Sequence, residues 1–130
     1  MFKAKTVALV ALLALFSIGC GGSGPAVKKG DKLVVAEELA RERVEVEYEG
    51  GETDGFNREI PAGTVLQVVI TPSLGTSIVE VVPVEFSGKS NPEEVLELFV
   101  PDRFRNKEGF RTYSIALKNE YIGSKVKKAE

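Results

Sequence analysis

Histidine and tryptophan are absent from this 130-residue chain, and cysteine occurs once. Without imidazole, Ser/His and Cys/His nucleophile pairs and His-ligated zinc are excluded, and a lone thiol closes neither an intramolecular disulfide nor a Cys-x-x-Cys pair. Positive charge is not in excess either. The 17 Lys and Arg face 19 Asp and Glu, for a net charge of -2, whereas nucleic-acid binders carry a strong basic surplus. No residue pattern asks for a cofactor. Long apolar runs are nearly missing as well: the one candidate, Val7 to Ile18, has 12 residues and is broken by Ser17. A membrane-spanning helix needs about 17–25.

That short run has informative flanks. Lys3 and Lys5 precede it, Gly19-Cys20 follows at once, and Gly21, Gly22, Ser23, Gly24 and Pro25 come next. Basic start, short apolar stretch and small-residue exit have the form of a secretory leader. The segment Phe16-Ser17-Ile18-Gly19-Cys20 resembles the lipobox of bacterial lipoproteins, with Ser17 where Leu is commonest. The resemblance covers residues 1–20 and implies three things. The chain is cleaved between Gly19 and Cys20; Cys20 is diacylated; and the mature protein sits on the extracytoplasmic side of the cell envelope, tethered to the membrane through that residue. Gly21, where Asp would signal inner-membrane retention, implies the outer membrane in a Gram-negative cell. Multiple acyl chains anchor stably, while one chain binds only reversibly. A signal peptide cut elsewhere and an uncleaved anchor with an incidental Cys are the alternatives.

Cleavage would remove 19 of the 130 residues, Lys3 and Lys5 among them. The remaining 111 residues carry 15 basic and 19 acidic side chains, a net charge of -4. Residues 20–30 read as a lipidated, Gly-rich tether spanning on the order of 15–20 Å. Residues 31–127 then form a single β-rich domain and 128–130 a polar tail.

A period of two dominates the domain. Val44, Val46 and Tyr48 alternate with charged residues, as in a strand with one wet face. Thr64 to Thr71 sets Leu66, Val68 and Ile70 on one face with Val65 and Val69 on the other, and reads as buried on both sides. Pro72-Ser73-Leu74-Gly75 is turn chemistry. It predicts antiparallel pairing with Ser77 to Phe86, where Pro83 marks an edge or a bulge. Leu33 to Ala36, Phe110 to Leu117 and Tyr121 to Val126 are further strands, Glu37 to Arg43 is ambiguous, and Gly50 to Gly55 reads as a loop. Asn91 as N-cap, Pro92 at the first helical position and Glu93 and Glu94 in the first turn predict one short helix ending before Pro101. Five to six strands with one helix imply a mainly β fold. The first expectation is a small, antiparallel, partly open barrel, SH3-like or OB-like; the alternative is a compact β-sandwich.

Candidate chemistry is sparse. Ser124-Lys125-Val126-Lys127 matches Ser-x-x-Lys but lacks the partner motifs of the penicillin-binding enzymes and lies in a lysine-rich terminus. Glu45, Glu47 and Glu49 make a wet surface better than a glycosidase pair, which needs one buried carboxyl. Glu52, Asp54, Asn57 and Glu59, in the 50–59 segment, offer hard oxygen ligands for Ca²⁺ without the spacing of an EF-hand. Arg103, Arg105 and Arg111, interleaved with Phe104 and Phe110, suit contact with an anionic partner. These features predict a non-enzymatic, lipid-anchored envelope protein acting as a structural or protein-interaction module, with an envelope protein or cell-wall partner and no nucleic acid. The alternative is a lipoprotein that binds a small ligand or Ca²⁺ through the 50–59 loop. Nothing in the sequence sets the oligomeric state.

Overall fold

The computed structural model describes residues 26–129; the leader, Gly19 and Cys20 lie outside the described residues. Seven strands form one antiparallel sheet: β1 (Lys32–Val35), β2 (Leu39–Tyr48), β3 (Thr53–Ile60), β4 (Val65–Val68), β5 (Ile78–Glu85), β6 (Phe110–Lys118) and β7 (Val126–Lys128). Their order across the sheet is β3-β2-β6-β5-β4-β1-β7. Two helices, α1 (Pro92–Phe99) and α2 (Asp102–Arg105), lie between β5 and β6.

Every strand sends residues into one buried cluster, from Leu33 and Val35 on β1 to Val126 on β7. Seven strands spaced about 4.8 Å apart would span about 29 Å if flat. A common core therefore requires the sheet to coil, and β3 and β7 remain its open edges. This is the expected partly open barrel, built as one sheet with more strands than expected and a second helix.

Local chemistry explains the elements. Inward residues alternate along β2 as Val44, Val46 and Tyr48, each buried. Asn91 accepts hydrogen bonds from the Glu93 and Glu94 amides at 2.9 and 3.3 Å, so α1 begins where the sequence predicts. Pro83 sits opposite Leu66 beside a register shift, and the β5–β6 ladder ends at Val81. The half-strand that cannot donate from Pro83 is thus bulged and pairs with β4 alone.

Several expectations are corrected. Residues 53–60 form a strand rather than a continued loop, paired to β2 from Thr53 to Ile60. Ile70 is 54% exposed, so the β4 segment is not buried throughout. The last strand starts at Val126 and runs through Lys128, into the expected tail. The domain also begins before Asp31. Val27 packs on the core, and the Lys29 and Gly30 amides donate to Thr71 Oγ1 and the Val68 carbonyl at 2.9 and 2.8 Å.

Candidate functional site: a trough over the outer face of β6

Outward positions on β6 are short: Thr112, Ser114 and Ala116. Register sets Thr112 opposite Glu47, Ser114 opposite Glu45 and Ala116 opposite Glu80. A row of small side chains between longer ones leaves a depression, and here it is an open trough of about 630 Å³. Val69, Ile78, Val82 and Ala116 supply apolar surface, and Glu45, Glu47 and Glu80 stand around it. Arg43 lies across Gly55 and pairs with Glu45 at 3.0 Å; a Cβ at Gly55 would meet the Arg43 guanidinium at 2.5 Å. Glu47 and Glu80 form no ion pair among the described residues. An apolar floor with acidic walls is complementary to an apolar segment flanked by cations.

The inner face holds two ionisable groups that patterning did not reveal. Glu42 continues the inward register of Val44, Val46 and Tyr48 and is 4% exposed, and a bulge between Leu39 and Glu42 brings Leu39 onto the same face. Burial pushes its carboxyl up, opposed by the Lys118 charge, the Tyr121 hydroxyl at 3.5 Å and the Lys125 charge. Across the ladder from Glu42 is Arg58, whose guanidinium turns the other way. It lies 4.8 and 4.6 Å from the Phe86 and Phe99 ring centres and donates to the Phe99 carbonyl at 3.1 Å. Burial lowers its pKa, and Glu59 partly restores it. Arg58 therefore closes the C-terminal end of α1, where carbonyls lack helical partners. Tyr113 is partly buried beside Phe99, and desolvation pushes its hydroxyl up to about 12.

Glu45 and Glu47, read as wet surface from the sequence, meet at the trough, but the Ca²⁺ candidates are dispersed. Glu52 binds Lys107 at 2.6 Å and so raises the Lys107 pKa. Asp54 accepts from the Gly55 amide at 2.7 Å, and Asn57 and Glu59 follow along exposed positions of β3. Among the described residues no three His, Cys, Asp or Glu side chains converge as metal ligands.

The arginines are equally scattered. Arg103 stacks on Phe104, with 4.6 Å from guanidinium to ring centre. Arg105 is occupied by Asp102 and by the Val100 carbonyl at 2.9 Å. Arg111 is the extra residue of a bulge, since Glu47 faces Thr112 while Tyr48 faces Phe110. Phe104 is buried and Phe110 partly so, and the intervening connection is helical at Asp102–Arg105. Ser124 spends its hydroxyl on the Tyr121 carbonyl at 3.1 Å.

Comparison with protein families, curated proteins and solved structures finds no match to this chain. No helix among the described residues is long and apolar enough to cross a membrane. The alternation Thr112-Ser114-Ala116 is visible in the sequence, but it becomes a trough only once β2 and β5 are known to flank β6.

Proposed function

We propose that this chain is a lipid-anchored protein of the bacterial cell envelope whose β domain is a non-enzymatic interaction module, binding its partner along the trough over β6. The anchor rests on the order of Lys3, Lys5, the apolar run, Gly19 and Cys20. The observation that carries the contact surface is the trough itself, apolar at the floor and acidic at the walls. Its form suits an extended segment of a protein partner carrying Lys or Arg beside apolar residues. Tethering keeps the domain beside that partner at high effective concentration, so modest intrinsic affinity suffices.

Photocrosslinking in cells tests this. A photoreactive residue at Ser114 should capture one specific envelope protein, and the same probe at exposed Glu94 on α1 should not. Capture that is equal from both positions, or none from Ser114, overturns the proposed surface. Incorporation of labelled fatty acid tests the anchor separately: it should vanish in Cys20→Ala.

A further inference from the structure

The pole of the domain where the described chain begins differs from the rest of its surface. Lys28, Lys29, Lys32, Lys127 and Lys128 gather there. Lys128 and Lys127 pair with Leu33 and Val34 on β1, and the Lys128 ammonium reaches the Ala26 carbonyl at 3.4 Å. Among the described residues the ion pairs of these lysines go to Asp31, which meets Lys28 at 3.7 Å and Lys128 at 3.5 Å. The tip of the β4–β5 hairpin stands beside them, fixed by the Lys29 amide on Thr71 Oγ1. That tip carries Leu74, fully exposed at 103%. A free leucine at a hairpin tip next to a group of lysines is poorly suited to water, and well suited to an anionic interface that takes the leucine among its acyl chains and the ammoniums among its phosphates.

The position of the chain exit gives the pole its orientation. On the lipid-anchor reading, six Cα–Cα steps separate Cys20 from Ala26, so this stretch spans at most about 21 Å. The domain cannot turn this pole far from the bilayer. We infer that the Leu74 tip and the lysines at positions 28, 29, 32, 127 and 128 form a membrane-docking surface for anionic phospholipid headgroups, which holds the domain upright on its anchor. The proposal builds on the anchor reading but uses surface that lipidation does not create.

The test uses the chain from residue 20 onward carrying Cys20→Ser, mixed with vesicles of phosphatidylcholine alone or with about one lipid in three replaced by phosphatidylglycerol. The chain should co-sediment with the anionic vesicles only, and high salt should release it. Leu74→Ser should lower the partition about ten-fold. A joint Lys29→Glu, Lys32→Glu and Lys127→Glu variant should lower it about a hundred-fold, each lysine counting for roughly five-fold. All four positions are exposed, and unchanged melting curves confirm that the variants fold. Equal binding to neutral vesicles, absence of binding to anionic ones, or indifference to both variants overturns the docking surface. So does stronger binding to soluble polyphosphate than to vesicles, which would assign the lysines to a polyanion. Fatty-acid labelling of the Cys20 chain fails independently of this assay, so loss of the anchor reading and loss of the docking surface give different results.

Discussion

The two open edges of the sheet are managed by opposite means. At β3 the inner face is roofed by the helical segment: Phe56 stacks on Phe104 at 4.8 Å, Tyr48 donates to the Phe104 carbonyl at 3.1 Å, and Arg58 grips the end of α1. At β7 the strand is only three residues long and carries Lys127 and Lys128. Short length and lysine discourage another strand from adding there. Packing anchors one edge strand and charge guards the other, so stability should concentrate at β3 and solubility at β7.

Substitutions sharpen that contrast, beginning with the largest effect. Phe99 is fully buried and touches Phe86, Tyr113 and Arg58. Phe99→Ala should cost about 3–5 kcal/mol in urea unfolding. Arg58→Ala leaves the Leu98 and Phe99 carbonyls without their donor and should cost about 1–3 kcal/mol. Arg58→Lys should recover only part of the loss, because an ammonium cannot lie flat between two rings while donating sideways. If Arg58→Ala unfolded at the same urea concentration as the parent protein, the roof would not depend on that residue.

Glu42 gives a smaller, pH-dependent effect. Its folded pKa is raised above the ordinary 4.5, chiefly by desolvation, so the unfolded chain loses this proton first. Stability then falls as pH rises from about 4.5 through the folded pKa. Glu42→Gln should melt higher than the parent at pH 7, and the gap should close near pH 4. A gap that widens on acidification would show that Glu42 is favourably paired when ionised. The smallest stability change is expected at β7, where Lys127→Thr should lie within about 0.5 kcal/mol of the parent. Its effect should appear instead as self-association in sedimentation velocity, because the edge loses a charge that blocks strand addition.

Local signals were legible in the sequence where neighbours along the chain decide the outcome. Asn91 and Pro92 announce α1 because a cap is made within one turn. The period of two announces β2 and β6, and Pro83 announces its bulge, because each follows from the residue's own backbone. The β3 strand was hidden because Thr53-Asp54-Gly55 has turn composition. Its extended state comes from pairing with β2, and Gly55 serves as a notch for Arg43 rather than as a bend. Glu42 was hidden because Glu37 to Arg43 reads ambiguously, and the strand there, with the bulge that sets both Leu39 and Glu42 inward, appears only in the ladder. The candidate site was the least legible part. Glu52, Asp54, Arg103 and Arg105, which stood out in sequence, are engaged by a nearby lysine, amide, ring and carboxylate, while the trough joins Glu45 and Glu47 to small and apolar residues that nothing in the sequence links to them.

The row Thr112, Ser114 and Ala116 also has an evolutionary consequence. These residues alternate with Tyr113, Ile115 and Leu117, so one strand carries two messages on interleaved positions, one for the fold and one for the shape of the trough. Lengthening or shortening an outward side chain would reshape the trough while leaving the interior as it was. On the proposed reading of the trough, single substitutions on β6 would let a lineage exchange one partner for another without loss of stability.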